Sequence, residues 1–263
     1  MKHNLYIIFL ILLLFFSAQI IGLIITERYS VKSLPLGLEK VELNQKTSYL
    51  PFFITILVAT GLSLLLMRTN IKWLWIAWFF MSISIALTIA FSAWLPIYIS
   101  IIASIILTSI KIFKRNIYVH NFTELFAYGG LIALFAGSFN IFSATVLLLL
   151  ISIYDMIAVW KTKHMIKIAK FQSDLKIFAG ILIPYKNRVA ILGGGDIAFP
   201  LLFAAAAVPL LSLYSVIIPI FSTTALFFLF YFGEKKKFYP AMPFLTIGCL
   251  VGLCVLKLLQ FIF

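Results

Sequence analysis

The sequence predicts an all-α, polytopic membrane protein with nine transmembrane helices, and three observations carry that prediction. Of its 263 residues 63% are hydrophobic and 11% charged, with a mean hydropathy of +1.14, a balance outside the range of soluble globular domains. Apolar runs of eighteen or more residues recur from end to end, each able to cross about 30 Å of hydrocarbon as a helix. The basic residues cluster in the gaps between those runs rather than on a face of their own.

The first run, 5–26, follows Lys2 like the core of a secretory leader. It continues past any small-residue cleavage site to Ile25 and so reads as a retained span. The next runs fall at 50–67, 73–91, 95–112, 125–139, 141–160, 191–209, 211–232 and 239–261. No charge marks the breaks at 92–94, near 140 and near 210, and the fifth run is short, so those boundaries rest on apolar length alone.

With nine spans the loops must alternate between the two sides. One side collects Lys2, Arg68, Lys72, Lys111, Lys114, Arg115, seven basic residues between 161 and 190, and Lys235 to Lys237. The other side holds one mixed-charge loop, 27–48. By the positive-inside rule the N-terminus and the 161–190 loop are cytoplasmic and the C-terminus is outside. The net charge of +13 is therefore a topology signal and implies no nucleic-acid partner. An Asn121-Phe122-Thr123 sequon falls on the cytoplasmic side and reads as chance.

The whole chain, 1–263, reads as one membrane domain: a six-helix part (1–160), a cytoplasmic connection (161–190) and a three-helix part (191–263). In the connection, Met165, Ile168, Ala169 and Leu175 against lysines fit either a helix on an anionic leaflet or a solvated basic loop. "IFAGILIP" at 177–184 is too short to span. A re-entrant segment, an extended strand and a cavity wall all remain open for it.

Six of the eight acidic residues (Glu27, Glu39, Glu42, Glu124, Asp174, Glu234) are placed in loops or at span ends. Asp155 and Asp196 are left inside apolar runs, where a carboxylate costs roughly 2.5–3.5 kcal/mol on insertion scales. No intramembrane lysine or arginine lies near either in sequence, and Lys257 belongs to the far end of the last span. Asp155 precedes Lys161 by six residues and Asp196 follows Arg188 by eight. At 1.5 Å per residue both sit roughly 9–12 Å inside the same boundary.

Consecutive antiparallel helices can bring the two face to face, and two close carboxylates in low dielectric hold a single proton between them. Aspartic proteases use that chemistry: one carboxylate activates water, and its protonated partner polarises the carbonyl. Gly193 and Gly195 strip the backbone where the seventh span begins, at about 1 kcal/mol of helix stability each. From these residues alone, catalysis and a proton or cation relay through a transporter or channel are equally supported.

Three stretches, "IYDMIAVW" at 153–160, "GGGD" at 193–196 and "PAMP" at 240–243, together resemble the presenilin and signal peptide peptidase family of intramembrane aspartyl proteases. Tyr154-Asp155 in "IYDMIAVW" is similar to the family's Tyr-Asp motif in the sixth span. "GGGD" at 193–196 matches Gly-x-Gly-Asp in the seventh. Pro240-Ala241-Met242 resembles Pro-Ala-Leu at the start of the ninth, with methionine in place of leucine, a nearly volume-conserving change.

The resemblance implies a presenilin-like fold with Asp155 and Asp196 as the catalytic dyad. It also implies substrate contacts from Tyr154, Gly193, Gly195 and the Pro240-Ala241-Met242 backbone. Short loops make the chain look like a prokaryotic, archaeal-type homologue working without dedicated subunits, its partners being substrate transmembrane segments and the lipid bilayer, with a homo-oligomer left open. Charge placement gives the presenilin orientation and hence substrates whose N-terminus lies outside.

Because a helix hides its carbonyls, substrate must unwind before cleavage. An exposed edge near 177–190 would hold it extended by strand addition. No metal or organic cofactor is implied. His120 and His164 fall in cytoplasmic loops without ligand spacing, and Cys249 and Cys254 read as buried free thiols. The prepilin and preflagellin peptidases also carry Gly-x-Gly-Asp, but have fewer spans and lack the Pro-Ala-Leu element. A transporter would show a second, inverted copy of the broken helix, and none is visible.

Overall fold

A computed structural model describes residues 5–67, 71–135, 137–162, 171–172, 177–185, 188–234 and 239–262. Among them nine helices run in order: α1 Leu5–Val31, α2 Tyr49–Leu66, α3 Lys72–Ser92, α4 Ile97–Ser109, α5 Ile117–Ala133, α6 Ile141–Met156, α7 Gly194–Leu211, α8 Ile217–Phe232 and α9 Met242–Ile262. Wider π turns extend α4 over Ile110–Lys114 and α6 over Ile157–Lys161. Among the described residues, and counting the short turns that extend them, seven segments are long and apolar enough to cross a membrane, while α5, with 17 residues, and the Gly194–Pro209 part of α7 are shorter.

α1 is apolar on every side and accordingly lies at the centre, packed on α5, α7 and α8. It approaches α5 closely, for a Cβ at Gly129 would stand 2.8 Å from the Cα of Gly22; side chains there would force the helices apart. α9 packs on α8, α6 and α7, and α3 on α4 and α5. α2 buries no residue and leans mainly on α6.

The element missing from an all-helical expectation is a hairpin of β1, Gly180–Tyr185, and β2, Arg188–Gly193, antiparallel with Gly180 opposite Gly193 and Tyr185 opposite Arg188. Ile181, Ile183, Ala190 and Leu192 turn into the main core, while Val189 and Ile191 face outward and are about half exposed. The segment at 177–184 is thus an extended strand from Gly180 onward. The seventh helix begins at Gly194, three residues later than the apolar run suggests. Because 188–193 is strand, a helical rise does not measure the depth of Asp196.

Two further boundaries move for a local reason. The Asn116 side chain accepts hydrogen bonds from the Tyr118 and Val119 amides, so α5 starts eight residues before the expected 125 and ends at Ala133, not 139. Asn140 and Ser143 form a capping box that starts α6, which accounts for the uncharged break near 140. His120 and Glu124 consequently lie buried inside a helix rather than in a loop or at its edge. Lys111 is buried too, and Cys254 is exposed where a buried thiol was expected. His164 and most of the amphipathic stretch fall outside the described residues.

Candidate active site

Asp155 occupies the last α-helical turn of α6 and is 8% exposed. One turn earlier, the Ser152 and Thr246 hydroxyls meet at 2.7 Å and tie α6 to α9. That tie sets the N-terminus of α9 over the carboxylate. The Met242 amide donates to Asp155 Oδ2 at 3.2 Å, and the Ala241 amide donates as well. The first N–H groups of a helix have no partner within it and carry its positive end. The Pro240-Ala241-Met242 motif therefore meets the aspartate through its main chain, which methionine and leucine supply alike.

Asp196 is the third residue of α7, and its carboxylate folds back to the Gly193 amide, as an N3 side chain does in a capping box. Asp155 and Asp196 lie on packed helices, α6 and α7, near enough for their charges to interact. α7's first turn is held from α1 by Gln19, whose Nε2 donates to the Ile197 carbonyl at 2.8 Å.

The glycines divide the work differently from the sequence reading. A Cβ at Gly193 would lie 3.3 Å from Asp196 Oδ2, and one at Gly195 would make ordinary contact with the Phe199 ring at 3.5 Å. A Cβ at Gly194 would be 2.7 Å from the Tyr128 hydroxyl, so the tight position is the middle glycine. Gly180 has φ +140°, and a Cβ there would be 2.2 Å from the Leu192 carbonyl; only glycine fits.

The hairpin lies alongside this junction, and the Gly194 amide donates to the Ala179 carbonyl at 3.1 Å. α5 covers the outer edge of β1. His120 Nε2 donates to the Gly180 carbonyl at 2.8 Å, Glu124 Oε2 accepts from the Gly180 amide at 2.9 Å, and Asn121 bonds both main-chain groups of Leu182 at 2.8 and 3.0 Å. Since Gly180 and Leu182 point away from β2, their partners Gly193 and Ile191 point away from β1. No described strand lies along that second edge.

Tyr154 turns to α2. Its hydroxyl donates to Thr60 Oγ1 at 3.3 Å, and its ring meets Phe53 edge-on. Glu124, His120, Asn121 and Tyr128, all adjoining the site, escaped the sequence reading; the Asn116 cap was the signal that would have put them in one helix. Among the described residues no three metal-ligating side chains converge. A cavity of about 950 Å³ lined by Glu27, Lys40, Asn140 and Pro209 lies at the opposite ends of α1, α6 and α7 and contains neither aspartate.

A family model described as signal-peptide peptidase, presenilin aspartyl protease matches residues 12–190, taking in Asp155 and ending before Asp196. No curated protein sequence matches the chain. Two solved structures of a presenilin family intramembrane aspartate protease, in space groups C222 and P2, superpose with TM-scores of 0.73 and 0.70. Each is 22% identical to this chain; the alignments cover 96% and 95% of it and 99% and 96% of theirs. The family match covers most of the sequence, and the fold agrees over nearly all of it: the chain belongs to the signal-peptide peptidase and presenilin family of aspartyl proteases.

Proposed function

We propose that Asp155 and Asp196 are the catalytic dyad of this multi-pass membrane protease, which cuts transmembrane segments of its substrates in the bilayer. The observation that carries the assignment is the meeting of two carboxylates from α6 and α7 at the N-termini of α9 and α7. Asp155, with two amide donors, is the base. It takes a proton from water as the oxygen attacks the scissile carbonyl carbon, and Asp196 protonates the carbonyl oxygen. The C–N bond then breaks, Asp155 hands its proton to the leaving nitrogen, and the diol hydroxyl returns one to Asp196. A relay function has no observation in its favour.

In this reading Pro240-Ala241-Met242 aims and charges Asp155, Gly193 fixes Asp196, and exposed Gly195 leaves room for substrate. Tyr154 seats α2 against α6 beside the dyad. Substrate strand addition belongs to the outer edge of β2, because the edge of β1 is occupied by α5. The orientation proposed is cytoplasmic for the N-terminus and the 161–190 segment, with substrates whose N-terminus lies outside. A reporter fused after Phe263 should read external, and a cytoplasmic signal would reverse the topology.

The dyad is tested by cleavage of a labelled single-span substrate by the purified chain beside Asp155→Ala and Asp196→Ala. The parent alone should cleave. Cleavage by either variant would remove that aspartate from the dyad.

A further inference from the structure

Glu124 is 1% exposed and receives three donors: Lys111 Nζ on Oε1, and on Oε2 the Tyr128 hydroxyl and the Gly180 amide, the last at 2.9 Å. Lys111 comes from the end of α4, Tyr128 from α5, and Gly180 from β1. A buried glutamate without a counter-charge is heavily penalised, and Lys111, itself 3% exposed, supplies it. This polar knot is absent from the mechanism above.

Two lines lead from Glu124 to Asp196. Along the first, the Tyr128 hydroxyl that Glu124 holds stands against Gly194, where even a methyl group would be 2.7 Å away; Gly194 opens α7 two residues before Asp196. Along the second, Gly180 sits opposite Gly193 in the hairpin, and the Gly193 amide binds the Asp196 carboxylate. Both contacts end on the residues that set where the first turn of α7 begins, and so where its carboxylate points.

We infer that Glu124, through Tyr128 and Gly180, is a positioning residue for Asp196. The inference rests on Asp196 being half of the dyad. A carboxylate is needed because it accepts from all three donors at once. A glutamine must turn its NH2 toward either Lys111 or the Tyr128 and Gly180 donors. Loss of the knot lets the α7 junction drift, and a displacement of about 1 Å at reacting groups lowers turnover by roughly a hundredfold.

The experiment compares parent, Glu124→Gln, Tyr128→Phe and Asp196→Asn, each full-length and purified in detergent. It measures kcat and KM on one single-span substrate, and Kd for a peptidic transition-state analogue whose hydroxyl lies between the two carboxylates. Glu124→Gln and Tyr128→Phe should lower kcat by about tenfold to a hundredfold, leave KM within about twofold, and weaken the analogue in proportion to kcat. A purely structural knot would reduce the active fraction without changing the analogue's Kd.

Parent-like kcat and Kd in both variants, or a raised KM at unchanged kcat, would overturn the inference. If Glu124→Gln does not fold, Tyr128→Phe decides alone, since it removes one oxygen from a ring whose packing stays. Asp196→Asn keeps the two questions apart: full activity there defeats the dyad, whatever the Glu124 result.

Discussion

The amide of Met242 stands 3.2 Å from Asp155 Oδ2, so the start of one helix supports the side chain at the end of another. Met242 is the first residue of α9, a position where proline fits without strain and deletes only the N–H. Met242→Pro should therefore lower kcat by about tenfold to a hundredfold, while Met242→Leu stays within about twofold of the parent. A folded, fully active proline variant would show that this donor does not matter to Asp155.

Two carboxylates sharing one proton give a rate that falls on both sides of an optimum, in acid as the base gains a proton and in alkali as the acid loses one. The pH dependence of kcat should be bell-shaped. A profile with a single flank would mean that only one of the two aspartates titrates in the reaction.

The middle glycine and its neighbour should separate in stability. Gly194→Ala drives a methyl group into the Tyr128 hydroxyl and should cost about 1–3 kcal/mol. Gly195→Ala meets only ordinary contact with Phe199 and gains up to about 1 kcal/mol of helix propensity. Thermal unfolding in one detergent should show the first Tm lowered and the second unchanged or raised.

Ile191 lies opposite Leu182, and its amide points out of the hairpin. Ile191→Pro then breaks no bond between β1 and β2 but removes a donor from the outer edge. The expected result is a kcat/KM at least about tenfold lower with Tm nearly kept. Unchanged cleavage would mean that substrate does not pair with β2.

The Lys111 and Glu124 side chains are both buried. Lys111→Met leaves an uncompensated carboxylate and should destabilise by about 3–5 kcal/mol, whereas Lys111→Met with Glu124→Gln should recover most of the loss. Equal Tm values for the single and double variants would show that the pair is not coupled.

Asp155 and Asp196 were legible as a candidate pair because a carboxylate inside an apolar run has no cheap explanation, and the spacing of the three motifs could be checked span by span. The polar knot was not. His120, Asn121, Thr123 and Glu124 interrupt the hydrophobic run in the first two turns of α5, so the uninterrupted apolar stretch begins only after them. The hairpin was hidden for the opposite reason. Its outward positions, Leu182, Val189 and Ile191, are as apolar as its inward ones, so no alternation marks it as strand. Gly194 looked like the unspecified member of its motif because the Tyr128 hydroxyl that crowds it lies 66 positions away in sequence.

The hairpin's one covered edge, and one edge along which no described strand lies, bear on handling the protein as well as on its chemistry. Unpaired strand edges are where intermolecular sheets nucleate, and in a micelle at high concentration the nearest chain available to β2 is another copy. Six residues make a short template, and the Gly193 amide is already engaged by Asp196. A bound substrate strand or an extended peptide inhibitor would occupy what remains, making such ligands stabilisers against clumping during purification and storage.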